Sequence, residues 1–154
     1  MSLLGATEIR ELAAKLDLKP AKSLGQNFVI DSNVCLRIVR QVEINPNDVV
    51  LEIGPGLGSL TLAILELKVP VIAIEIDNRL ADQLPQTVKL HNPNANLTVI
   101  NEDAISVREL PVNPTVLVAN LPYNVSVPVL LNLLEYFPQL REGVVMVQAE
   151  VADR

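Results

Sequence analysis

Four consecutive residues, Asn120-Leu121-Pro122-Tyr123, carry side chains well suited to chemistry. They follow an apolar, β-branched run, Thr115-Val116-Leu117-Val118-Ala119, which reads as a buried parallel strand. Asn and Pro fit a packed strand poorly. At a strand's carboxyl end they suit the crevice where open α/β sheets hold their ligands. Asn offers a neutral carbonyl acceptor, Tyr a flat stacking face, and Pro a stiff bend that frees a backbone carbonyl. This set fits a planar base bearing an exocyclic amine. The lone pair of such an amine is delocalised into the ring, so its nitrogen is a weak nucleophile. The Asn120 side chain and a backbone carbonyl at Leu121 or Pro122 can accept its two N–H groups and favour a pyramidal nitrogen. Tyr123 would stack on the base and hold the in-line geometry. No metal or strong general base is required. The plain structural alternative is a strand-ending Pro turn with a core Tyr.

Three further positions could serve such a site. Glu52-Ile53-Gly54-Pro55-Gly56-Leu57-Gly58 follows an apolar run and opens a helical pattern. Glycines there let backbone approach a ligand where a Cβ would clash. Position 59 is Ser, so the spacing is G-x-G-x-G and not the G-x-G-x-x-G of dinucleotide-binding loops, which disfavours a dehydrogenase. With an acid two residues upstream, the loop resembles the first motif of S-adenosylmethionine-dependent methyltransferases; a purely structural tight turn is the alternative. Glu75 ends the next apolar run, where a carboxylate can accept both hydroxyls of a ribose, or simply be a surface acid. Asp77 suits a helix cap. Asp103, after the third run, can accept from an adenine amino group or close an Asx-turn.

The remaining polar signals are structural. His91, the single histidine, stands before Asn92-Pro93 and suits a helix C-terminus. Cys35, the single cysteine, sits among helical apolar residues as a core thiol. The sequence therefore offers neither a zinc-type ligand cluster nor an assignable Ser-His-Asp set.

These residues need a scaffold, and the chain supplies one. The 154 residues suit one domain, and 49% are apolar against 19% charged, a globular balance. Net charge is −6, which argues mildly against nucleic acid. It is uneven: residues 1–45 hold six basic residues (Arg10, Lys15, Lys19, Lys22, Arg37, Arg40) and five acidic ones, leaving −7 for the rest. A basic face is one reading and a solvated helix surface the other. No apolar run approaches the ~18 residues of a membrane span, and Met1 to Gly5 lack a signal-like core, so a cytoplasmic setting is expected.

Thr7 is expected to cap a helix with Ile9, Leu12, Ala13 and Leu16 on one face, ended by Pro20. Asp31 or Ser32 should cap a second, burying Val34, Cys35, Ile38, Val39 and Val42. After the Asn45-Pro46-Asn47 turn, strands are expected at 48–53, 70–76, 97–101, 114–120 and 143–149. Helices are expected at 58–67, 78–89 and 126–137, with a loop between strands three and four where Pro111 and Pro114 interrupt. Such alternation implies a parallel sheet covered on both faces.

Lys22-Ser23-Leu24-Gly25-Gln26-Asn27-Phe28, Glu52 to Gly58, Glu75-Ile76-Asp77, Asp103-Ala104, Asn120 to Tyr123 and Met146-Val147-Gln148-Ala149-Glu150-Val151 occur in one order. Together, over residues 19–154, they resemble the ribosomal RNA adenine dimethyltransferase family, and Val125-Ser126-Val127-Pro128 favours its small-subunit dimethylases. The resemblance implies a Rossmann-like α/β fold of strand order 3-2-1-4-5. It also implies N6,N6-dimethylation of two adjacent adenines in small-subunit ribosomal RNA, with S-adenosyl-L-methionine as donor, in ribosome biogenesis. Asn27 and the Val29 backbone would cover the cofactor, Gly54 and Gly56 contact its methionine part, Glu75 bind its ribose and Asp103 its adenine. Asn120 would lie between cofactor and amine, with Leu121, Pro122 and Tyr123 completing the catalytic set.

Ala149 stands where many relatives carry Lys, which puts one RNA contact in doubt. Residues 1–45 are expected to form a helical segment with the cofactor-covering motif, and 46–154 an incomplete methyltransferase domain. Two more strands, an aromatic facing Tyr123 and a helical RNA-binding domain would be absent. The 154 residues alone are accordingly expected to associate through an exposed fifth strand and to transfer no methyl group. Two other readings are a DNA adenine methyltransferase, which usually carries Pro at the position of Leu121, and a non-catalytic RNA-binding or ribosome-assembly module.

Overall fold

Short β-branched runs bounded by turn residues set the sheet. The computed structural model describes residues 3–18 and 32–148. Within them lie strands β1 (Val50–Ile53), β2 (Val71–Ile74), β3 (Leu97–Ile100), β4 (Val116–Pro122) and β5 (Glu142–Gln148). All pair in parallel, in the order β3-β2-β1-β4-β5. This is the expected order. The helices are α1 (Ala6–Lys15), α2 (Ser32–Gln41), α3 (Ser59–Leu65), α4 (Asn78–His91) and α5 (Tyr123–Tyr136), with a 3-10 turn at Ala104–Ser106.

The two-residue period of the strands sorts the core into two layers. Val50, Val71, Ala73, Val116 and Val118 face α1 to α4, packing with Cys35, Val39, Leu60, Ile64 and Leu84. Leu51, Ile53, Ile72, Ile74, Leu117, Ala119 and Leu121 face the 3-10 turn and α5, packing with Val107, Val129, Leu133 and Phe137. Burial on both faces is why the strands read as continuous apolar runs. Each fully buried Leu or Ile contributes about 1.5–3 kcal/mol.

Register places the site. Ile53 pairs with both Ile74 and Ala119, and Ile74 with Ile100. Gly54, Glu75 and Asn101 therefore leave the sheet at the level of Asn120, at its carboxyl edge. The strand order reverses between β1 and β4, which makes this edge a topological switch point.

Several expected boundaries move. Gly5, not Thr7, is the N-cap of α1; Ala6 is a strong helix former, so the helix starts two residues earlier and Thr7 accepts from Arg10 within it, at 3.3 Å. The helix also stops before Pro20. Asp17 takes a left-handed φ of 56°, and Leu18 N–H donates to the Ala13 carbonyl at 2.9 Å, a Schellman closure. Asn120 to Pro122 do not leave β4 but remain paired with Met146, Val147 and Gln148. Helix α5 then begins at Tyr123 instead of 126, with no loop between. Pro122 ends the strand and N-caps the helix with φ −60° and ψ 147°, a geometry its ring favours.

Candidate active site

The glycine loop is tightened by its own chain. Gly54, Gly56 and Gly58 all have positive φ, at 73°, 59° and 105°. A Cβ at Gly54 would stand 2.5 Å from the backbone oxygen of Asn120. The first glycine thus makes room for β4 as much as for any ligand, and it couples the loop to Asn120. Beneath the loop, Glu52 is buried on the α3 side of β1 and accepts from Thr61 Oγ1 at 2.5 Å. Burial, with the nearby charge of Glu75, pushes its carboxyl up to about 8 against the Thr61 hydrogen bond. Glu52 therefore holds a proton at neutral pH.

Glu75 is 6% exposed and follows β2 directly. Its two carboxylate oxygens accept from Gly56 N–H at 3.2 Å and Asp77 N–H at 3.0 Å. This ties the glycine loop to the β2 exit. Burial raises its carboxyl above the ordinary range, although these N–H groups pull it back. Asp77 caps α4, accepting from Arg79 N–H at 2.8 Å and Leu80 N–H at 3.2 Å. Burial opposes its ionisation, yet Arg79 and the capped N–H groups outweigh burial and hold it below the usual carboxylate range. Asp103 accepts from Ile105 N–H at 3.1 Å and starts the 3-10 turn. It has the Asx-turn geometry and still borders the ligand-sized space described next.

A cavity of about 390 Å³ opens at the carboxyl edge and gathers Gly54, Gly56, Glu75, Asp103, Asn120, Leu121 and Pro122. Its size lies within the ~300–1,000 Å³ of small-molecule sites. Ile76, Ile105, Val125 and Val129 supply apolar walls. Tyr123 does not line the cavity; it stands at the start of α5, 66% exposed, so it is not a core residue. Asn27 and Val29 lie outside the described residues, as do Lys22 to Phe28 and Ala149. Among the described residues no group of three or more His, Cys, Asp or Glu could hold a metal ion, and no helix is long and apolar enough to cross a membrane.

Two residues escaped the sequence reading. Asn101 donates to the backbone oxygens of Glu75 at 2.8 Å and Ile76 at 3.3 Å, fixing the β2 exit. Its signal was an amide directly after an apolar strand. Asn132, buried in α5, donates to the Ala104 and Val107 carbonyls; its signal was an amide inside an otherwise apolar helical face.

The ribosomal RNA adenine dimethylase family model matches residues 18–154. A ribosomal RNA small subunit methyltransferase A from Leifsonia xyli subsp. xyli is 59% identical over 156 residues, covering 100% of this chain and 56% of that protein. Among solved structures, a dimethyladenosine transferase from Plasmodium falciparum superposes with a TM-score of 0.67 at 35% identity, over 80% of this chain and 44% of that one. The 23S rRNA methyltransferase ErmE gives 0.66 at 31% identity, over 80% and 48%. The chain spans about half the length of the curated relatives it matches. With the motif order, sheet and cavity in agreement, the chain belongs to the ribosomal RNA adenine dimethylase family.

Proposed function

We propose that the protein transfers methyl groups from S-adenosyl-L-methionine to the exocyclic amines of two adjacent adenines in small-subunit ribosomal RNA, giving N6,N6-dimethyladenosine. Ribosome biogenesis in the cytoplasm is part of the same reading, with the immature small subunit as partner. The observation that carries it is the convergence of Gly54, Glu75, Asp103 and Asn120 to Pro122 on one cavity at the switch point.

The donor set fits the cofactor. Glu75 keeps acceptor capacity beyond the two backbone N–H groups it binds and would take the ribose hydroxyls. Gly54 and Gly56 would border the methionine part, and Asp103 the adenine amine, between Ile76 and Ile105. Asn27 and Val29 would cover the cofactor from the amino-terminal segment. When bound, S-adenosylmethionine supplies an electrophilic methyl on sulfur. Asn120 would accept one N–H of the target amine and the Leu121 or Pro122 carbonyl the other, turning the nitrogen lone pair toward the transfer line. Tyr123, exposed beside Pro122, would stack on the base. These contacts strengthen as the amine pyramidalises, so they favour the transition state over bound substrate.

Leu121 and the ribosomal RNA family match weigh against the DNA methyltransferase reading. Methyl transfer to immature small subunits by the protein at its natural length, with RNA digestion to identify the base, is the test. Dimethyladenosine supports the reading; label on DNA or on another base overturns it.

A further inference from the structure

Asp103 reaches the cavity from a short segment that would be loose by itself. The 3-10 turn has three residues, and the stretch to Pro114 contains no other helix or strand. Ala104 and Val107 bury their side chains in the core, and the segment's polar hold comes from α5. Asn132, only 9% exposed, uses its whole amide. Nδ2 donates to the Ala104 carbonyl at 3.0 Å and to the Val107 carbonyl at 2.9 Å, and Oδ1 accepts from Arg108 Nη1. The same Arg108 nitrogen donates to the Ile105 carbonyl at 3.1 Å. Its guanidinium lies over the Tyr136 ring, 4.6 Å from the centroid. One helix therefore begins beside the target-base residues and, further along, fastens the segment carrying Asp103 and Ile105. Asn132 itself does not line the cavity.

We infer that Asn132 is a positioning residue for the adenine end of the cofactor: by clamping residues 104–108 to α5 it fixes Asp103 and Ile105 against Asn120 to Pro122. The inference rests on the reading of Asp103 proposed above. Arg108 completes the clamp by satisfying Oδ1 of Asn132, and Tyr136 holds the guanidinium flat.

The test compares Asn132→Ala and Asn132→Asp with the wild type at natural length. Asp retains an acceptor for Arg108 but loses both donors to the carbonyls, so it isolates the clamp. Calorimetry measures affinity for S-adenosylhomocysteine and for its inosine counterpart, which offers an acceptor where adenine offers an amine. In the wild type Asp103 should favour the adenine form. Both variants should bind S-adenosylhomocysteine roughly tenfold more weakly, the order of one net hydrogen bond, and lose most of that preference. The KM for S-adenosylmethionine should rise while kcat at saturation holds. Arg108→Met, at an exposed side chain, should shift the ratio the same way by a smaller factor and keeps the inference testable if Asn132 variants do not fold. Variants that lose affinity for both ligands in parallel, with the ratio intact, would show a merely structural role and overturn the inference alone. A wild type with no preference for adenine overturns the Asp103 reading and the inference with it.

Discussion

Gly54→Ala probes the joint between the glycine loop and the Asn120 strand. The residue sits at φ 73°, where a Cβ costs about 1–2 kcal/mol. That Cβ would also stand 2.5 Å from a backbone oxygen, at Asn120, which cannot rotate away as a side chain would. Overpacking of this kind costs about 1–3 kcal/mol. Together the two effects predict a stability loss of about 2–5 kcal/mol, or a fall in Tm of roughly 4–20 °C for a domain of this size. Gly58→Ala is the control. It is also strained, at φ 105°, but its Cβ would meet only Cδ1 of Leu84, the end of a flexible side chain, at 2.8 Å. Gly54→Ala should therefore depress methyl transfer beyond its loss of stability, because Asn120 moves, while Gly58→Ala should retain more turnover per folded molecule. Denaturant titration and single-turnover transfer measure the two quantities. Wild-type stability and full turnover in Gly54→Ala would refute the coupling.

Glu75→Ala removes a buried charged acceptor worth about 1.5–3 kcal/mol per hydrogen bond; calorimetry should show cofactor affinity down tenfold or more, and unchanged affinity would remove Glu75 from the site. Asn120→Ala should lower single-turnover transfer far more than RNA affinity, whereas loss of RNA affinity alone would make Asn120 a substrate-positioning group. Glu52 keeps its proton up to about pH 8 in the folded protein, but an ordinary carboxyl releases it near 4.5. The Glu52 contribution to stability should thus be fullest below 4.5, decline as pH rises toward 8 and level off above. Glu52→Gln should flatten that decline in denaturation series between pH 5 and 8, with the raised carboxyl of Glu75 leaving a residual slope; parallel slopes in both proteins would contradict the buried proton.

The parallel strands and most of the cavity-lining residues were legible because they rest on local signals, whereas strand order followed from the family resemblance. Apolar runs such as Val116 to Ala119 are buried on both faces, and parallel register then carries Gly54, Glu75 and Asn120 to one level without further information. The continuation of β4 through Pro122 was not legible, since it depends on pairing with β5, a strand some 25 residues away in sequence. The early start of α5 follows from the same pairing, which leaves Pro122 as both strand end and helix cap. Thr7 looked like a cap on residue type, yet Ala6 continued the helix past it. Asp77 as cap and His91 at the end of α4 matched expectation, but the contact of His91 Nε2 with Glu8, at 2.8 Å, is tertiary and had no sequence signal. The Asn132 clamp was hidden for the same reason: its partners are backbone carbonyls of a segment with no pattern of its own.

We propose that the cavity and the Asn120 to Tyr123 edge together methylate adenine nitrogen in small-subunit RNA. The direct measurement is transfer of labelled methyl from S-adenosylmethionine to immature small subunits by the protein at its natural length, followed by nucleoside analysis. The prediction is label in N6,N6-dimethyladenosine at two adjacent positions, lost in Asn120→Ala. Label confined to another nucleoside, or undiminished in Asn120→Ala, would contradict it.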